Sequence, residues 1–93
     1  MEIPASLLMS SGSFAYVAVK ASLHASETAV FGLNNDEMGA LSKRFGDCQK
    51  SVINGISLKV PPMQVVNALG LLGYRVVGTT GETEVVWTLQ RDL

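Results

Sequence analysis

Cysteine, histidine and charge are all scarce in this 93-residue chain, and each shortage removes a class of protein. Cys48 is the one cysteine, so no disulfide can form within the chain and no cysteine-based metal cluster can be assembled. Such usage fits an intracellular, reducing compartment, and a cytoplasmic location is expected. His24 is the one histidine, so a metal centre would have to be built around it from carboxylates, and none is expected. Seven Lys and Arg against eight Asp and Glu leave a net charge of −1. Lys43-Arg44 is the only basic pair, far short of the stripe that nucleic-acid binding requires, so no nucleic-acid partner is expected. No apolar run approaches the ~20 residues of a membrane span, and Glu2 stands where a signal peptide carries its positive charge. Residues 1–13 are therefore expected to be a flexible leader, followed by a single domain over residues 14–93.

What the chain does have is apolar side chains. They make up 47% of the residues against 16% charged, which is oily for a small monomer. A domain this short buries a modest fraction of its surface and often draws extra stability from assembly. Part of its apolar surface is therefore expected to be a protein–protein interface, the alternative being a compact monomer with a rich core.

Residues 14–22 are aromatic and β-branched with no Gly or Pro, and predict a strand. Ala15, Val17, Val19 and Ala21 take one face, with Phe14, Tyr16, Ala18 and Lys20 on the other. Apolar groups on both faces predict that both are covered, as in a central strand or one buried by assembly. Residues 28–31 form a shorter strand ended by Gly32, with Ala25-Ser26-Glu27 turning the chain between the two. Asn34-Asn35-Asp36 offers caps to a short amphipathic helix carrying Met38, Leu41 and Phe45, with Lys43-Arg44 in its last turn and Gly46 as its stop. From Lys50 to Val60 the alternation is partial, and Asn54-Gly55 admits either a hairpin or a bulge within one extended segment.

Pro61-Pro62 starts a second helix, whose stripe is Val65, Val66, Leu69 and Leu72, and Gly73 is its expected left-handed cap. Residues 74–77 read as a strand, Thr79-Thr80-Gly81-Glu82 as a turn, and residues 83–90 as a returning strand with Val85, Trp87 and Leu89 inward. Helices set between antiparallel strands predict an α+β fold, a small two-layer sandwich of a mostly antiparallel sheet and two helices.

Few residues here point to chemistry. No serine sits in a Gly-x-Ser-x-Gly elbow, and Gly78-Thr79-Thr80-Gly81 lacks the Lys and the helix of a phosphate-binding loop. Glu27, Asp36 and Glu37 form a conceivable carboxylate cluster, but a solvated turn and helix start is the expected reading. Glu82 and Glu84 are expected to be exposed, Cys48 to be a small hydrophobe or surface thiol, and Trp87 to pack in a core or interface. The chain is not expected to be an enzyme.

One stretch carries more information than its composition. Ser42-Lys43-Arg44, Pro61-Pro62, Gly73 with an aromatic residue and then Arg75-Val76, Thr80-Gly81, and Val86-Trp87 with Leu89 recur in order. Over residues 42–89 this closely resembles the GTP cyclohydrolase I feedback regulatory protein family. The resemblance implies a non-catalytic sheet-and-helix subunit that assembles into a homopentamer, two of which cap the faces of the GTP cyclohydrolase I decamer. It also implies two effectors, with no bound cofactor. Tetrahydrobiopterin promotes an inhibited complex, and L-phenylalanine promotes an active one. Phenylalanine in that family lies at a subunit boundary, near the turn before the closing strand and the end of the first strand. The matching positions here are Thr80 and Gly81; Glu82, Thr83 and Glu84 follow them in the candidate site, and Ser22 and Leu23 are carried over by location only. The family's turn continues Val-Gly-Gln-Thr, whereas this chain has Glu82-Thr83-Glu84 and is one residue shorter. The added carboxylates either weaken amino-acid binding or pair with a ligand ammonium group. A module of the same fold that regulates another enzyme is the alternative.

Overall fold

The fold is built on strand β1 (Phe14–Ser22), which pairs along its whole length with the last strand, β6 (Glu84–Asp92). The computed structural model describes residues 14–22, 26–46 and 49–92. The expected leader, Leu23, His24 and Cys48 lie outside those residues. In chain order the remaining elements are β2 (Thr28–Phe31), α1 (Asn35–Phe45), β3 (Gln49–Val52), β4 (Gly55–Leu58), α2 (Pro62–Leu71) and β5 (Arg75–Thr80). Together they form a small α+β structure: one six-stranded antiparallel sheet in the order β3-β4-β2-β1-β6-β5, and two helices.

Each helix begins and ends where local chemistry dictates. Asn34 accepts the Glu37 N–H at 2.8 Å while the Glu37 carboxylate accepts the Asn34 N–H at 3.1 Å, a complete capping box. Gly46 closes α1, its N–H donating to the Ser42 carbonyl. Pro61 precedes α2 and Pro62 opens it, where a missing N–H costs nothing. Past its end, Gly73 at φ 96° lets its own N–H and that of Tyr74 reach back to the Gly70 and Leu69 carbonyls at 3.1 Å each. The segment 49–58 resolves as a hairpin turning through Ile53 and Asn54, with Asn54 left-handed at φ 63°. Of the two readings open in the sequence, the hairpin is the one formed.

The core lies on one side of the sheet. Val17 and Val19 from β1, Val30 from β2, Ile56 and Leu58 from β4, and Val85, Trp87 and Leu89 from β6 face Leu41 of α1 and Val65, Ala68 and Leu69 of α2. Pleating gives each strand a period of two, so the alternate residues point to the opposite side. There, within the single subunit, Phe14 and Tyr16 of β1 are 46% and 55% exposed, which leaves assembly as the one way left for that face to be covered. β1 is central within the sheet, yet among the described residues neither helix lies on its outer face. Strand β5 also runs longer than expected, taking Thr79 and Thr80 into the sheet and moving the turn to residues 81–83.

Trp87 lies opposite Val19 and Thr79 in the pairings of β6, buried in the core. Trp87→Ala is expected to lower stability by about 3–5 kcal/mol in urea unfolding. A loss below about 1 kcal/mol would show that the indole does not fill the core.

Candidate functional site

Antiparallel pairing of β1 with β6 brings together the two segments expected to form the site. Ser22 lies directly opposite Glu84, and Thr80 pairs with Val86 one step further across the sheet. Thr80, Gly81, Glu82, Thr83, Glu84 and Ser22 are all exposed, and Leu23 lies outside the described residues. Gly81 adopts φ 108°, and a side chain there would overlap the Glu84 carbonyl oxygen, so the turn demands glycine. Glu82 and Glu84 are exposed, as expected, although Glu82 sits in the turn and only Glu84 belongs to the strand.

Sequence reasoning missed Lys20. Its Nζ lies 2.9 Å from Glu84 Oε1, with both side chains about half exposed. The pairing register puts Lys20 beside Val86, on the same face as Glu84. The alternation already placed Lys20 opposite the core, but only the register reveals its partner. A pair this exposed contributes about 0.2–1 kcal/mol and yields readily to salt or to a competing charge. Chemically, the turn presents two carboxylates, two threonine hydroxyls and one ammonium group within a few residues.

A buried electrostatic junction lies elsewhere, at Glu37. The expectation of a solvated helix start is corrected here, because Glu37 is 7% exposed while Asp36 is exposed and Glu27 bonds to Ser57 at 2.7 Å. The three carboxylates form no cluster. Glu37 Oε2 accepts the Tyr74 hydroxyl at 2.6 Å and lies 3.3 Å from Arg91 Nη2, while Oε1 caps the helix. The Arg91 guanidinium also stacks over the Tyr74 ring, 5.2 Å from its centroid. Burial, the hydrogen bond to Glu37 and that group's negative charge push the Tyr74 phenol up to about 12, with Arg91 acting in the opposite sense. Every polar atom of Glu37 is thereby satisfied, so a buried carboxylate is tolerated.

A third feature is an open cleft of about 570 Å³ at the β3–β4 turn, lined by Phe31, Leu33, Met38 and Val52 with Ser51 and Asn54 among others. None of the expected site residues lines it. Among the described residues no group of His, Cys, Asp or Glu is placed to hold a metal ion. Among the same residues no helix is long and apolar enough to cross a membrane. Comparison of the chain with models of protein families, with curated proteins and with solved structures finds no significant match.

Two outcomes follow from this geometry. The fold favours neutral Tyr74, so that residue's contribution to stability is complete below pH 10 and is lost as pH rises toward about 12. Tyr74→Phe is expected to lower stability at neutral pH by about 2 kcal/mol and to reduce the alkaline loss. Urea unfolding at both pH values checks this, and parallel losses in the two proteins would contradict it. Gly81→Val is expected to loosen the turn, speeding amide exchange at Glu82 and Glu84 while the β1–β2 amides stay protected. Unchanged exchange at the turn would show that it tolerates a side chain.

Proposed function

We propose that this chain is a non-catalytic regulatory subunit that docks on GTP cyclohydrolase I as a homopentamer. It would couple that enzyme's activity to inhibition by tetrahydrobiopterin and to stimulation by L-phenylalanine. One observation carries the reading: each motif behind the family resemblance falls at a distinct structural junction. Ser42-Lys43-Arg44 ends α1, and Pro61-Pro62 begins α2. Gly73 closes that helix, Arg75-Val76 opens β5, and Thr80-Gly81 leads into the turn. Trp87 and Leu89 lock β6 into the core. Sequence signals that coincide with caps, turns and core positions are what a shared fold requires.

The same reading assigns the Thr80–Glu84 turn and Ser22 to the amino-acid effector. Exposed backbone N–H groups at such a turn suit a carboxylate, and Glu82 or Glu84 suits an ammonium group. An exposed turn encloses little of a ligand by itself, so the second wall of the pocket belongs to another subunit or to the enzyme. Each effector then acts by binding one state of the assembly better than the other. The altered turn favours one further reading, a module of this fold that serves a different enzyme.

Kinetics of the same organism's GTP cyclohydrolase I, with and without this chain, tests the assignment. With the chain present, tetrahydrobiopterin is expected to inhibit more strongly and L-phenylalanine to relieve that inhibition. Identical rates with and without the chain under both effectors, at micromolar protein, would reject the cyclohydrolase as its target.

A further inference from the structure

Asn54-Gly55 plays no part in the proposed function, and the structure sets it at the tip of the β3–β4 hairpin. Ile53 and Asn54 form the turn between the paired residues Val52 and Gly55. Asn54 is exposed, and among the described residues no hydrogen bond engages its side-chain amide. Its backbone lies at φ 63°, a region that asparagine, aspartate and glycine enter more readily than other residues. Gly55 is fixed by packing, because a Cβ there would collide with the Val30 carbonyl oxygen and crowd the Phe31 ring. The fold thus keeps an asparagine beside the residue whose backbone nitrogen is least shielded, and it cannot replace that glycine.

We infer that Asn54 is a site of spontaneous deamidation through a cyclic imide. The Gly55 backbone nitrogen loses its proton and attacks Cγ of Asn54, forming a C–N bond. The Cγ–Nδ2 bond breaks, and the amide group leaves with that proton as ammonia. Water then opens the succinimide ring at either carbonyl, leaving aspartate or an isoaspartyl linkage in place of Asn54. The step involves no change of oxidation state, and its one co-reactant is solvent water.

Pairing of Val52 with Gly55 holds the turn closed, so ring closure passes through local opening of the hairpin tip. Strand β3 eases that opening, because it lies at the sheet edge, paired with β4, and Ser51, Val52 and Ile53 are exposed. The other asparagines are differently placed. The Asn34 side chain accepts the Glu37 N–H at 2.8 Å, Asn35 opens α1 and Asn67 lies within α2, and none of the three precedes a glycine. The two products differ in consequence. Aspartate suits a left-handed turn residue and adds a carboxylate to the rim of the open cleft, whose described lining residues carry no charge. The isoaspartyl form lengthens the backbone where the Asn54 carbonyl accepts the Gly32 N–H at 3.4 Å, and so loosens the hairpin from β2.

Ageing the folded chain at neutral and mildly alkaline pH, followed by trypsin digestion and mass spectrometry, tests this. Cleavage after Lys50 and Lys59 releases residues 51–59, in which Asn54 is the only amide side chain. That peptide is expected to convert, faster at the higher pH, into two separable species, each heavier by the difference between an amide and an acid. One of them is expected to be isoaspartyl and to accept a methyl group from an isoaspartyl methyltransferase. Peptides carrying Asn34, Asn35 and Asn67 are expected to stay unchanged over the same period. The chain held unfolded in guanidinium chloride supplies the reference rate. A 51–59 peptide that stays intact in the folded chain over the time that converts the unfolded one would overturn the inference. Conversion to aspartate alone, or equal conversion at the other asparagines, would also overturn it.

Discussion

Among the described residues, the Glu37 carboxylate ties α1, the exit of α2 and β6 together. One of its oxygens caps α1, and the other holds Tyr74 at the exit of α2 and Arg91 near the end of β6. Three segments distant in sequence are thereby fixed around one buried charge. Removing either partner would leave that charge short of the bonds that offset its desolvation. The arrangement depends on the close of α2, because Gly73 turns the chain so that Tyr74 points back into the core. The helix layer is consequently tied to the sheet by a directional contact as well as by apolar burial, which has no direction of its own.

That attachment has a bearing on function. In the proposed role, the β5–β6 turn meets the effector while other surfaces of the subunit meet the neighbouring chains. In that role, the seating of β6 in the core allows a small change at the turn to reach those surfaces, because packed layers move as bodies and do not deform continuously. The exposed Lys20–Glu84 pair lies at the opposite extreme, half in water and easily exchanged. A regulator needs both a framework that holds and a site whose contacts can be traded.

Much of the fold was legible in the sequence because its signals were local. Asn34, Pro62 and Gly73 each act within one turn of their own helix, and the alternation of β1 and β6 marked the core face directly. Asn54-Gly55 was ambiguous for a physical reason. The turn itself uses Ile53 and Asn54, while Gly55 is required because a side chain there would collide with the Val30 carbonyl on β2. A close approach between strands leaves no local pattern. The same holds for Glu37, whose partners Tyr74 and Arg91 are far along the chain, and for Lys20, whose partner depends on register. The outer face of β1 was left between two readings, because apolar content cannot distinguish a surface covered within the subunit from one covered by assembly.

The central proposal is that this chain acts by docking on GTP cyclohydrolase I. Sedimentation velocity of the enzyme mixed with this chain tests it most directly, with tetrahydrobiopterin, L-phenylalanine or neither present. The account predicts a complex larger than either component, populated more strongly when an effector is added. Two species that sediment independently under all three conditions would contradict it.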